Sequence, residues 1–150
     1  MCNELTIKRV RLLYFIVINL TANAQSANDK ICGRWESSEK NLIVDVYRSG
    51  NDFKAKIIWF RADNEKQMEE WTDENNPDAA LKQRKLLGIN VLDGLVYMPE
   101  SNSWEDGMVY DAKHGRYWNA SAYIDTGGLL KVKVYWHFKF IGRTMTFNRL

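Results

Sequence analysis

The sequence predicts one closed or nearly closed antiparallel β-barrel with a short helix, preceded by a leader segment. Three observations support this prediction. Apolar and polar residues alternate in several short segments, as in strands that have one buried and one solvated face. Residues typical of turns separate these segments. The 150 residues, 45% of them hydrophobic, are enough for one domain, which excludes a large multi-domain enzyme and a disordered chain.

The first 24 residues have the organisation of a secretory signal peptide. Lys8, Arg9 and Arg11 precede an apolar stretch from Leu12 to Ile18, and Ala22-Asn23-Ala24 forms a small-x-small triplet. A transmembrane anchor is disfavoured because it needs about 20 apolar residues. We therefore predict cleavage after Ala24, a mature domain of residues 25–150, and export to the periplasm or the medium.

The basic character of the chain belongs to this leader. The whole chain has 21 basic and 19 acidic residues and a formal charge of +2. The leader contains three of the bases and one of the acids, so 18 of each remain and the predicted mature charge is zero. This balance argues against a nucleic-acid partner. Cys32 is the one thiol left, and we interpret it as a half-buried residue at the start of a strand.

Alternation and turn signals predict seven or so short strands. The Gly33–Trp35 segment begins the first of them. The further strand candidates are Leu42–Tyr47, Phe53–Trp59, Val91–Met98, Gly107–Tyr110, Tyr117–Ile124, Leu130–Phe138 and Thr144–Arg149. The alternation predicts that barrel-facing side chains include Ile57, Trp59, Val134, Trp136 and Phe138, with lysines on the opposite face. Many short strands in one small domain favour barrel closure.

One long connection carries helix signals and an acidic stretch. A helix of about two turns is predicted from an Asn cap, a Pro at the first helical position, an early acid and a late cation: Asn76, Pro77, Asp78 and Arg84. In the interpretation that we favour, Asn76 caps this helix, Asp78 stabilises its positive end, and Asp73 and Glu74 are solvated. The alternative is a site for a hard cation such as calcium.

A second candidate site combines aromatic and acidic residues in the Trp104–Asp111 segment, followed by Tyr117 and Trp118. Aromatic rings beside carboxylates could bind a sugar by stacking and hydrogen bonding. The alternative, which we prefer, is that these rings fill the barrel core or rim. His114 and His137 have no metal-ligand spacing with Cys32 or with each other, so we expect no metal, no cofactor and no catalytic centre.

The predicted domain has a tryptophan motif in its first strand and an arginine in its last. Gly33-Arg34-Trp35 forms a Gly-x-Trp in the first strand, and Arg149 lies in the last strand. In this pair of features the chain resembles lipocalin-like barrels. The resemblance implies that Trp35 closes one barrel end and that Arg149 packs over it, with Arg143 as an alternative for this arginine. A guanidinium can stack on an indole by cation–π attraction while it donates to nearby carbonyls.

A series of short motifs extends along the mature chain: Gly33-x-Trp35-Glu36, Lys56–Trp59, Asp73–Asp78, Arg84–Ile89, Trp104–Asp111, Gly115–Trp118 and Gly142–Arg149. Through these residues, in this order, the mature chain resembles the bacterial family called domain of unknown function 2147. Ala112 and Phe147 depart from the pattern, where Pro and Trp are more usual. The resemblance implies a small exported lipocalin-like protein, and it implies no reaction.

These observations lead to a non-catalytic hypothesis: a monomeric binding protein for a small, partly apolar or amphiphilic ligand held in the barrel. The alternative is a protein-interaction or envelope-maintenance factor that contacts an envelope protein through the Asp73–Gly88 loop. We expect no membrane span. The candidate ligand or partner residues are Trp59, Asn76, Asp78, Arg84, Trp104, Tyr110, Asp111 and Trp118.

Overall fold

The computed structural model describes residues 26–62 and 66–150, so the predicted leader lies outside the described residues. Eight antiparallel strands pair in sequence order, and the last pairs with the first to close a barrel. The strands are β1 Gly33–Ser37, β2 Leu42–Ser49, β3 Asp52–Phe60, β4 Asn90–Met98, β5 Ser103–Asp111, β6 Arg116–Ile124, β7 Leu130–Tyr135 and β8 Gly142–Arg149. The predicted antiparallel barrel is confirmed, and each of its eight strands overlaps one of the predicted strand segments.

The helical content is smaller than predicted. Three 3₁₀ turns occur among the described residues, at Ala27–Ile31, Met68–Glu70 and Ala79–Leu81. The predicted two-turn helix after Asn76 is therefore wrong, because only the single turn Ala79–Leu81 forms there. Its N-cap is Asp78, whose carboxylate accepts the Ala80 backbone N–H at 2.9 Å. No helix in the described segments has the length and apolar character required to cross a membrane.

A β-bulge reverses the predicted orientation of Trp59. Ile57 pairs with Val44, whereas Trp59 pairs with Ile43, so one extra residue of β3 lies between the two pairs. An inserted residue shifts the alternation by one position. Phe60, opposite Leu42, therefore faces the interior in place of Trp59. The prediction that Trp59 faces the barrel interior is wrong for this reason.

The N-terminal 3₁₀ turn closes one end of the barrel. Trp35 is fully buried and donates its indole N–H to the Ile31 carbonyl at 2.8 Å. Trp104 is also buried and donates to the Asn28 carbonyl at 3.0 Å. The side chains around these indoles form the most deeply buried part of the core, with Ile31, Phe53, Leu95 and Leu130. We call this the closed end.

Arg149 covers Trp35 from outside. Its guanidinium carbon lies 4.1 Å from the indole centroid, and its nitrogens donate to the carbonyls of Cys32, at 2.9 Å, and Lys30. Arg143, the alternative for this position, instead lies at the opposite end and pairs with Glu39. Cys32 is half-buried directly before β1, where burial raises the pKa of its thiol.

We predict that Gly33→Ala destabilises the closed end by about 1–3 kcal/mol. Gly33 has φ of +123°, and a Cβ there would lie 2.9 Å from an Arg149 guanidinium nitrogen. The new methyl group would strain the backbone and push the guanidinium away from Trp35. Urea unfolding measures the change. Gly50→Ala is the matched control, because Gly50 also has positive φ but no atom within 4 Å of the added Cβ. Equal effects of the two changes would contradict the proposed clash with Arg149.

Candidate functional site

The opposite end of the barrel is open, and four connections surround it. These are the β1–β2 turn (38–41), the long β3–β4 connection (61–89), the β5–β6 turn (112–115) and the β7–β8 loop (136–141). They lie at the same end of the barrel because successive strands run in opposite directions, so that every second connection returns to one end.

An apolar cavity of about 680 Å³ extends from this open end into the barrel. Its wall consists mainly of inward-facing aliphatic and aromatic side chains of most of the strands, including Val44, Val46, Ala55, Ile57, Leu92, Val109, Leu130, Val132, Val134, Met145 and Phe147. The predicted inward positions Ile57 and Val134 are among them. A barrel of eight strands has room for one small ligand when its own side chains do not fill it, and here they do not.

A second, more polar chamber of about 930 Å³, which we call the outer chamber, adjoins the apolar cavity at the open end. The two spaces share rim residues, among them Leu42, Asp111, Lys113 and Arg143. The outer chamber also has hydroxyl, amide and charged side chains from all four connections or their adjoining strand ends, including Asn41, Arg61, Thr72, Glu74, Asn75, Thr144 and Thr146. The site therefore becomes more polar toward these connections.

Aromatic rings line the rim on the side of the β7–β8 loop. Trp118 of β6 and Trp136 of the loop pack edge to face, with centroids 5.5 Å apart. Both side chains line the apolar cavity. The prediction that β7 continues through Trp136 to Phe138 is wrong, because β7 pairs with β6 only as far as Tyr135 and the chain then turns toward Gly142 of β8. Trp136 nevertheless contributes to the cavity from the loop.

A buried polar cluster holds the β3–β4 connection against the open end. We call it the Asp73 cluster, and its members are Asp73, Asn76, Arg84 and Tyr110. The Asp73 carboxylate accepts hydrogen bonds from Asn76 Nδ2 at 2.6 Å and from the Tyr110 hydroxyl at 2.7 Å. Arg84 donates to it through Nε at 2.9 Å and pairs through Nη2 at 2.8 Å. Tyr110 belongs to β5 and also lines the cavity, so the cluster joins the connection to the barrel wall.

The electrostatics of the cluster follow from these contacts. Burial alone would raise the pKa of Asp73, but the hydrogen bonds from Asn76, Tyr110 and Arg84 and the charge of Arg84 outweigh it and lower the pKa below its ordinary value. Burial, together with the hydrogen bond to the Asp73 carboxylate, raises the pKa of Tyr110 to about 12. Asp73 is therefore ionised and Tyr110 neutral at physiological pH.

This geometry overturns the interpretation of Asp73 as a solvated carboxylate and of Asn76 as a helix cap. Asp73 and Asn76 are both buried, and Asn76 donates to Asp73 and to Tyr110 while its Oδ1 accepts the Asp78 backbone N–H at 2.8 Å. The alternative of a calcium site finds no support either. The described residues contain no group of three or more His, Cys, Asp or Glu side chains that could hold a metal ion.

The remaining candidate residues divide between the two ends of the barrel. Trp118 and Asp111 lie at the open end and line the cavity, and Asp111 also contacts His114 Nδ1 at 2.7 Å. Trp104 lies in the closed-end core, 6.4 Å from the ring of Phe53, so the proposed sugar-binding grouping of Trp104 with Asp111 and Trp118 does not form. Arg84 and Asn76 are occupied by internal contacts.

The β7–β8 loop has an exposed apolar part that the strand prediction for Leu130–Phe138 does not include. Phe138, Phe140 and Ile141 are largely exposed beside the cavity. A signal was present, since four large apolar residues occur within the six residues before Gly142. The strand-like alternation of the same segment concealed it.

Comparison with known proteins agrees with this architecture. Residues 33–149 match the family described as "Uncharacterized protein conserved in bacteria (DUF2147)". The chain is also similar in structure to protein HP1028 from Helicobacter pylori, described as belonging to the lipocalin family, with 23% sequence identity and a TM-score of 0.68 over 79% of this chain and 82% of that chain. No curated protein matches the sequence. The likeness to HP1028 shows that the fold is lipocalin-like, and the match over residues 33–149 shows that the chain belongs to the DUF2147 family of bacterial proteins.

Proposed function

We propose that this protein binds a small amphiphile at the open end of the barrel. The observation that carries the proposal is the apolar cavity of about 680 Å³, which adjoins the more polar outer chamber and shares rim residues with it. The apolar part of the ligand would occupy the cavity, and its polar group would lie in the outer chamber. Burying about 200 Å² of apolar ligand surface would contribute about 5 kcal/mol before the entropic losses of binding.

The hydrogen bonding of the interior supports an apolar ligand segment. Every buried side-chain nitrogen or oxygen among the described residues already has a hydrogen-bond partner. The hydroxyl of Tyr110, for example, donates to Asp73. A polar group deep in the cavity would lose its water without finding a free partner, which is unfavourable by several kcal/mol. Polar groups of the ligand therefore belong near the rim, where Lys113 and Arg143 line both spaces.

The proposal includes export of the protein. The predicted signal peptide supports action in the periplasm or the medium, where an amphiphile needs a carrier because its apolar part is poorly soluble in water. Binding of this kind requires no catalytic group, and we propose a non-catalytic carrier or sensor of the ligand.

The test is titration with N-phenyl-1-naphthylamine, an apolar probe that fluoresces when it leaves water. We expect saturable binding by the wild-type protein. Val134→Trp should weaken binding at least about tenfold, because the added indole would occupy part of the cavity that Val134 lines. Lys133→Trp is the matched control, since Lys133 is the adjacent residue on the outer face of β7 and does not line the cavity.

Thermal unfolding of both variants shows whether they remain folded. Should Val134→Trp unfold, the smaller change Val134→Phe, tested in the same titration, replaces it. Absence of saturable probe binding by the wild-type protein would contradict the proposal. So would unchanged affinity in a folded variant whose cavity is filled.

A further inference from the structure

The β7–β8 loop exposes four large apolar side chains within six residues. Trp136 is 55%, Phe138 60%, Phe140 78% and Ile141 65% exposed. Phe138 and Phe140 stack on one another, with ring centroids 5.5 Å apart and planes 28° apart. Single exposed apolar residues are normal on protein surfaces, but a contiguous group marks a surface that contacts another apolar phase.

This apolar surface is continuous with the ligand cavity. Trp136 and Ile141 line the cavity, whereas Phe138 and Phe140, between them in the chain, do not line it and are exposed. The loop thus presents apolar side chains both to the cavity and to the exterior. Anything that covers the exposed side of the loop also lies next to the open end of the barrel.

The charge on this side of the rim indicates what covers it. The β5–β6 turn and the strand residues that adjoin it and the β7–β8 loop carry three cations and one carboxylate: Lys113, Arg116 and Arg143, with Asp111. Lys139 of the loop is not among these rim cations, because it lies beside Lys133 on the outer wall and pairs there with Glu105. Arg143 pairs with Glu39 at 3.5 Å, but both side chains are mostly exposed, and such pairs contribute little. Aromatic residues interleaved with cations are typical of segments that bind the interface of anionic membranes.

We propose that the protein docks by its open end on an anionic lipid bilayer, with Phe138 and Phe140 inserted at the headgroup boundary and the rim cations facing the lipid phosphates. Docking would place the cavity mouth against the phase in which amphiphiles dissolve. In this respect the inference rests on the proposed function, because the bilayer would be the source or the destination of the ligand.

The test is co-sedimentation with vesicles of phosphatidylcholine and phosphatidylglycerol in equal amounts, and with vesicles of phosphatidylcholine alone. The wild-type protein should bind the anionic vesicles, and added salt should weaken binding because it screens the cations. The double variant Phe138→Ser/Phe140→Ser should bind at least about tenfold more weakly, since two apolar side chains no longer leave water. Full chains and chains lacking residues 1–24 are compared, because the leader itself is apolar and basic.

The matched control is Leu150→Ser at the closed end. Leu150 is 64% exposed, close to the exposure of the loop residues, but it lies on the opposite side of the barrel. This change should leave vesicle binding unaltered. Equal binding by the wild-type protein and the double variant, or no binding by either, would overturn the proposal. So would a concentration-dependent dimer in analytical ultracentrifugation that the double variant abolishes, because a second copy would then cover the loop.

The two proposals fail separately. Phe138 and Phe140 do not line the cavity, so the double variant should retain its affinity for N-phenyl-1-naphthylamine. Probe binding without vesicle binding would remove the docking inference and leave the proposed function. Vesicle binding that depends on Phe138 and Phe140, without saturable probe binding, would remove the proposed function and leave membrane docking.

Discussion

Replacing Asp73 with alanine should lower the free energy of unfolding by about 3 kcal/mol, as measured by urea denaturation. The carboxylate is buried and accepts hydrogen bonds from Asn76, Tyr110 and Arg84. Its removal leaves the buried groups of Asn76 and Tyr110 without this acceptor and the Arg84 guanidinium without its counter-charge. The β3–β4 connection should then separate more readily from the open end.

Two related variants make this prediction specific. Asp78→Ala removes an exposed carboxylate from the same connection, where it caps only one 3₁₀ turn, and should lower stability by less than about 1 kcal/mol. Tyr110→Phe removes one of the hydrogen bonds to Asp73 and should have an intermediate effect, of about 1–2 kcal/mol. If Asp73→Ala is no more destabilising than Asp78→Ala, the cluster does not hold the connection in place.

Because Asp73 is ionisable, its contribution to the free energy of unfolding should depend on pH. The pKa of Asp73 is lower in the folded protein than its ordinary value of 3.8, so the unfolded chain takes up a proton first as the solution is acidified. The contribution of Asp73 is therefore fully present above pH 3.8 and is lost as the pH falls through the folded pKa. Part of the acid destabilisation of the wild-type protein should be absent from Asp73→Ala.

The second large effect is expected at the closed end, where Trp35→Ala should destabilise the barrel by about 3–5 kcal/mol. The indole is fully buried, its N–H donates to Ile31, and the Arg149 guanidinium lies over its ring. Truncation removes this packing and opens a cavity beneath the N-terminal 3₁₀ turn. Urea denaturation followed by far-ultraviolet circular dichroism measures the loss without depending on tryptophan emission.

Trp136→Ala provides the matched control for this change. The same side chain is truncated, but Trp136 is 55% exposed, so its removal should alter the free energy of unfolding by less than about 1 kcal/mol. Combining Trp35→Phe with Arg149→Lys tests the stacking itself, with a coupling energy of about 0.5–2 kcal/mol expected. If Trp35→Ala and Trp136→Ala lower the free energy of unfolding by similar amounts, the packing around Trp35 at the closed end does not provide the stability that we expect.

The strands were predictable because their signal is local. Inward and outward residues alternate within each strand, and the register confirms this for Ala55, Ile57, Val132 and Val134. The order of the strands around the barrel comes from the structure, in which each strand pairs with its neighbour in sequence. The resemblance to lipocalin-like barrels also predicted the contact of Trp35 with Arg149 at one end of the barrel, although the two residues lie at opposite ends of the domain sequence.

The errors occur where a distant partner decides the conformation. Trp59 faces outward because β3 has one more residue than β2 between two register pairs, and alternation within β3 alone contains no sign of this. Trp136 and Phe138 continue the alternation of β7, yet they lie in a loop because Tyr135 is the last residue of β7 that pairs with both β6 and β8. Backbone pairing, and not periodicity, ends that strand.

The sequence by itself determined the class of fold, the positions of the strand segments and the local turns, because alternating polarity and turn chemistry act between residues close in the chain. The tertiary structure alone decided the features on which the proposed function rests. It left the open half of the barrel unfilled, joined Asp73 to Tyr110 across 37 positions of the chain, and exposed Phe138 and Phe140 beside the cavity. Burial and charge pairing depend on which segments meet in space, and that depends on barrel closure.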